Sequence, residues 1–288
     1  MHKPKHRPDP RKRQSTGASP EVPRQARLRG MSLLRAEEIS AGYAERQVLD
    51  QVTLSVHAGD LISIIGPNGA GKSTLIRALA GTLKPSAGQV FLDGSPLEDL
   101  SRGQIAQRIA VVPQQSDVAF GFSVGEVVKM GRAPHQGPLL IPTEADNQVV
   151  ARALAECELE ALVGRPVGEL SGGERQRVVI ARALAQEPAV LLMDEPAAHL
   201  DLRHAVALYS LVRREAKGKG IACVAVMHDI NTVARWADRV LLLHAGRVAA
   251  WGTPGEVLTR ESLEAVFDVS LHTGTDPVDG APYFLPSL

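Results

Sequence analysis

Along this chain apolar residues gather mostly in strand-length runs, and the spacing between runs sorts the elements. Leu33 to Ile39 and Val52 to Val56 predict two short strands. Leu61 to Ile65 is apolar except for Ser63, as a strand buried on both faces requires. Directly behind it the period changes, with Leu75, Ala78 and Leu79 at helical spacing. Gln89 to Leu92 and Ile109 to Val112 read as further strands, the first set between Pro85-Ser86-Ala87-Gly88 and Asp93-Gly94. No strand-like run occurs between about 122 and 188. Val124, Val127 and Val128 begin a helix there, Gly131 to Pro142 is a Gly/Pro-rich connection, and helices are predicted over Thr143 to Glu158 and Arg175 to Ala185. Strands return at Val190 to Met193, Ile221 to Met227, Arg239 to Leu243 and Arg247 to Ala250. Two short helices follow, Pro254 to Leu258 and Glu261 to Phe267, and the last 20 residues read as an irregular tail marked by Pro277, Gly280, Pro282 and Pro286. The pattern predicts a doubly wound α/β core, an antiparallel β region at its N-terminal side and an inserted helical region.

Composition narrows this picture. With 44% hydrophobic and 22% charged residues, 288 residues suffice to bury a core of ordinary size. Net charge is zero but uneven: residues 1 to 30 hold nine Lys/Arg against Asp9 and Glu21, so the rest of the chain is acidic. That basic, Pro-rich start has almost no apolar periodicity and is expected to be disordered. No run of 18 apolar residues exists and the start lacks an apolar h-region, so neither a membrane span nor a secretory signal is expected. Cys157 and Cys223 form no CxxC pair, consistent with a reducing cytosol. The nine histidines show no metal-ligand spacing, so no metal site made of protein ligands alone is indicated.

Candidate chemistry concentrates at strand ends. Gly66-Pro67-Asn68-Gly69-Ala70-Gly71-Lys72-Ser73-Thr74 fits a glycine, four residues, then Gly-Lys-Ser/Thr, between a strand and a helix. Its glycines let several backbone N–H groups face a triphosphate at the positive end of the helix. Lys72 adds a mobile cation for the outer phosphates, and the Ser73 hydroxyl is placed to ligate Mg²⁺. Val190 to Met193 delivers two adjacent acids, Asp194 and Glu195. Unpaired charge at a buried strand end is costly, and Mg²⁺ held by Asp194 resolves it while Glu195 polarises an attacking water. Gln114 and His228 also emerge at C-terminal strand ends, where open α/β sheets bind ligands. Tyr43 is either a packed turn aromatic or a ring for adenine. Leu170-Ser171-Gly172-Gly173-Glu174 is either a simple capped helix or a second anion-binding terminus.

In this order the motifs, with Leu200-Asp201, resemble the ATP-binding cassette of ABC transporters over about residues 33 to 260. The resemblance implies a P-loop NTPase fold with a RecA-like core, an N-terminal antiparallel β subdomain and a helical subdomain at about 115–188. It divides the chain into a basic tail at 1–30, a cassette at 31–270 and the tail at 271–288. It implies an ATPase with ATP and Mg²⁺, the ion being met by Ser73, Gln114 and Asp194. It also implies a head-to-tail homodimer in which each nucleotide meets Lys72, Ser73, Gln114, Asp194, Glu195 and His228 of one subunit and Ser171 and Gly173 of the other, with Asp201 at the seam. One departure stands out: the family usually carries Ser-Ala-Leu-Asp where this chain has Ala198-His199-Leu200-Asp201.

Val124 to Val128 with Met130-Gly131-Arg132-Ala133-Pro134-His135, then Ala198 to His204 and Val226 to Asn231, look like importers of ferric siderophores, haem and cobalamin, as does the tail with Asp276-Pro277-Val278, Pro282 and Pro286. Such a subunit is expected at the cytoplasmic face of the bacterial inner membrane, docked through the region from Gln115 to His135 beneath a permease dimer that a substrate-binding protein feeds. Relatives of the family that act in DNA repair or translation carry long insertions or two cassettes. This chain has neither, so no nucleic-acid partner is expected.

Overall fold

The computed structural model describes residues 32–44, 46–114, 121–137, 141–198 and 200–287. The expected basic tail at 1–30, together with Gln115 and His199, lies outside them.

Strands β1 (Leu34–Tyr43) and β2 (Arg46–Val56) pair antiparallel, Leu34 opposite Val56 and Tyr43 opposite Arg46. Both outrun their apolar cores because the backbone ladder continues to the turn. β3 (Leu61–Ile65) is buried at all five positions and runs through the glycine loop into α1 (Lys72–Leu79). β4 (Ala87–Leu92) lies antiparallel to β1, and the two-residue β5 (Ser95–Pro96) completes a sheet of order β2-β1-β4-β5. A short helix α2 (Arg102–Ala106), capped by Ser101 and Gln104, leads into β6 (Ile109–Val112).

The insertion is helical as expected: α3 (Val124–Lys129), a 3₁₀ stretch Met130–His135, α4 (Glu144–Glu156) and α5 (Gly172–Ala185). Serine or threonine caps start each helix, at Ser123, Thr143 and Ser171, each with a reciprocal acid three residues on. Arg132 braces this region. Its Nε reaches Asp146 Oδ1 at 2.8 Å, and its Nη1 reaches Ala185 O at 2.8 Å and Glu187 at 3.0 Å. Backbone donation from Thr143, then Arg132 itself, lowers the Asp146 carboxyl to about 2.

Beyond it come β7 (Val190–Asp194), α6 (Leu202–Lys219), β8 (Ala222–Val226), α7 (Ile230–Trp236), β9 (Arg239–His244) and β10 (Arg247–Gly252). The main sheet has the order β10-β9-β3-β8-β7-β6, parallel except for the edge strand β10. Its strands alternate between two cores, as a period of two demands. Leu61, Leu191, Met193, Cys223 and Ala225 pack with the helical side, while Ile62, Ile64, Val190, Leu192 and Val224 pack with α1 and the antiparallel sheet.

Helices α8 (Pro254–Val257) and α9 (Arg260–Phe267) precede a correction. The expected irregular tail is a hairpin, β11 (Leu271–Thr275) paired antiparallel with β12 (Pro282–Pro286). Pro282 and Pro286 occupy the two ends of an edge strand, where a missing N–H breaks no interior ladder. Phe284 is buried, and Asn231 of α7 grips its backbone twice, donating to its carbonyl at 3.2 Å and accepting from its N–H at 2.8 Å. Arg235 adds ion pairs to Asp276 and Asp279.

Candidate functional site

Four strands of the main sheet, β3, β6, β7 and β8, end on one side, and the polar residues that follow them meet there. The glycine loop after β3 is clasped by its surroundings. Gly66 has φ +153, and a methyl built on it would lie 2.1 Å from Leu243 O. Gly71 has φ +105, and a methyl there would meet Leu49 at 2.8 Å. No other residue fits either position. Ala70 O accepts from the Gly246 N–H at 3.1 Å, which ties the loop to the β9–β10 turn.

Lys72, the first residue of α1, is 6% exposed, and its ammonium donates to Gly66 O at 2.8 Å and Pro67 O at 3.0 Å. Burial lowers its pKa against the opposing pull of Glu195 and Asp194. Ser73 Oγ donates to Asp194 Oδ1 at 3.1 Å. Burial raises the Asp194 carboxyl, offset in part by that bond.

Glu195 follows at φ +51, in the left-handed region. Gln114 Nε2 donates to its Oε2 at 2.7 Å, and His228 Nε2 lies 2.5 Å from its Oε1. Residues from the ends of β6 and β8 thus hold both oxygens of one carboxylate. The strand ends bring Lys72, Ser73, Gln114, Asp194, Glu195 and His228 together.

Tyr43 sits at the far end of β1 and is 43% exposed. Its hydroxyl accepts from Arg77 Nη1 at 2.9 Å, and the guanidinium carbon lies 5.9 Å from the ring centroid. Arg77 gives no signal in the sequence beyond its place five residues after Lys72 on α1.

The signature residues are elsewhere. Ser171 caps α5: its Oγ accepts from the Glu174 N–H at 3.3 Å, while its own N–H and hydroxyl donate to Glu174 Oε2 at 2.8 and 2.7 Å. Asp201 caps α6 by accepting from the His204 N–H at 2.9 Å. Among the described residues no hydrogen bond or ion pair joins Ser171, Gly172, Gly173 or Asp201 to the glycine loop.

The sequence profile described as ABC transporter matches residues 49–198, just over half of the chain. A hemin import ATP-binding protein of Nocardia farcinica is 46% identical over 260 residues, covering 90% of this chain and 88% of that protein. A cobalamin import ATP-binding protein of Halobacterium salinarum is 44% identical over 243 residues, covering 84% of this chain; the chain spans 61% of that relative's length. Among solved structures, a metal-chelate type ABC transporter in an inward-facing conformation superposes with a TM-score of 0.79 at 30% identity, covering 90% of this chain and 98% of that one. The chain belongs to the ABC transporter family and has the fold of its ATP-binding cassette.

Proposed function

We propose that this chain is the ATP-hydrolysing subunit of a bacterial importer for a metal chelate, a ferric siderophore, haem or cobalamin, driving transport through a separate permease. The observation that carries the reading is the grip on Glu195 by Gln114 and His228, beside the Lys72 loop. A carboxylate so fixed is oriented to take the proton of a water that adds to the γ-phosphorus. The bond to the bridging oxygen then breaks and ADP leaves with its electron pair, while Lys72 and the loop N–H groups hold the outer phosphates. Tyr43, with Arg77 behind its ring, is the surface offered to adenine.

The residues fit Mg²⁺: Ser73 and Asp194 present two hard oxygens 3.1 Å apart at a buried strand end that disfavours bare charge. The amide oxygen of Gln114 is not used in the Glu195 bond and would be a third donor. When bound, the ion supplies charge neutralisation on the phosphates.

The separation of Ser171–Gly173 and Asp201 from the cradle supports a head-to-tail homodimer, in which each chain completes the site of the other. A groove of about 750 Å³ between α2, the 3₁₀ stretch and α5 supports permease docking. Arg102 and Arg182 line it with Met130 and Pro134, and no acidic side chain of the described residues does, so a helix carrying a carboxylate suits it. No helix of the described residues is long and apolar enough to cross a membrane; the proposal places the chain peripherally at the cytoplasmic face, with a substrate-binding protein acting only through the permease.

The test is Mg²⁺-dependent ATP turnover by the full chain with its permease, and uptake of labelled haem, cobalamin and ferric siderophore by a deletion strain. Turnover that survives Glu195→Gln, or uptake of all three cargoes unchanged by the deletion, overturns the reading.

A further inference from the structure

The start of α6 carries one bond more than a helix cap requires. Asp201 Oδ1 accepts the backbone N–H of His204, which is the capping bond, and His204 Nδ1 also lies 2.8 Å from that same oxygen. The bond to Asp201 turns the imidazole toward α5. A methyl built on Gly173 would stand 2.4 Å from His204 Cδ2 and 2.9 Å from Nε2, so the ring fills the space a side chain at 173 would take. Behind the ring lies a cavity of about 210 Å³ lined by Arg177 of α5 and by Leu208 and Leu211 of α6. His204 therefore touches Asp201 on one side and the second glycine of the signature turn on the other.

We propose that His204 is a positioning residue for ATP hydrolysis: it locks Asp201 and the Ser171–Gly173 turn into one unit, so that both reach a second subunit's nucleotide in fixed relation. This rests on the homodimeric reading given above. The bridge needs both of its ends. A donor without the ring leaves Gly173 unsupported, and a ring without the donor leaves Asp201 held by the capping bond alone.

Full-length protein carrying Glu195→Gln provides the background, with ATP-dependent dimerisation followed by sedimentation velocity. His204→Asn keeps a donor for Asp201 and loses the ring contact; His204→Phe keeps a ring and loses the donor; His204→Ala loses both. Each is expected to weaken the dimer by about fivefold per site, the scale of a partly exposed polar bond. A symmetric dimer contains the bridge twice, which makes about 25-fold in its dissociation constant. Binding of a fluorescent ATP analogue to the dilute monomer should stay within twofold of the parent for the Asn and Phe variants. Parent-like dimerisation of either half-bridge variant overturns the proposal. So does loss of analogue binding in both, since His204 would then be a general element of the fold. If the Glu195→Gln parent stays monomeric with ATP and its permease, the dimeric reading itself falls and the assignment falls with it.

Discussion

The loop around Lys72 and the turn around Ser171 both present backbone N–H groups at the start of a helix, yet the chain holds them differently. The Lys72 loop is clasped from outside: Leu243 and Leu49 close on its glycines, Gly246 bonds its backbone, and Asp194 takes its serine. The Ser171 turn satisfies itself within four residues through Glu174, and its outside support is the imidazole of His204. One half is preorganised by the sheet and the other is a presented edge. Substitutions should therefore read differently in the two halves.

The largest change in turnover is expected at the base. Glu195→Gln should lower it by about 10²–10⁴-fold while equilibrium binding of ATP persists, whereas Lys72→Ala should lose binding as well. Gly66→Ala forces a side chain against Leu243 O and should abolish nucleotide binding by displacing the loop. Gly172→Ala meets nothing within 4 Å, and the monomer's ATP affinity and melting temperature should not move. Equal effects at the two glycines would erase the contrast. Ser171→Ala should cut turnover by about tenfold, the lower end for a hydrogen bond to a charged group, and leave monomer affinity intact.

Asp146→Asn should change turnover least but lower thermal stability, because it leaves the Arg132 guanidinium without its buried partner. The Asp146 carboxyl sits near 2 against an ordinary 3.8, so its contribution is complete above pH 3.8 and is lost as pH falls toward 2. The melting-temperature gap between wild type and variant should therefore hold down to about pH 4 and close below it.

Much of this was legible in the chain. The glycine loop, the two acids and the strand runs at Leu61, Ile109 and Val190 carry local signals, because a buried parallel strand must be apolar throughout. Helix α6 was not read: exposed Leu202 and Val206 in its first turns blur the periodicity of Leu208, Leu211, Val212 and Ala216. The closing hairpin reads as an irregular tail in sequence because its prolines act as punctuation there but stand at strand ends in space. The pairing of Gly173 with His204 depends on how the insertion docks on the core, which no spacing along the chain encodes. Asn231, the brace between α7 and Phe284, was hidden for the same reason.

The left-handed backbone at Glu195 carries a wider consequence. A side chain held there costs on the order of 1 kcal/mol that glycine or asparagine would largely avoid. Laboratory evolution of this protein for heat resistance, screened by yield of soluble material, should thus accept Gly or Asn at 195 and deliver hardier molecules that burn no fuel. Any such campaign has to score catalysis in every round, since a position that gains from relaxing is also the one proposed as the base.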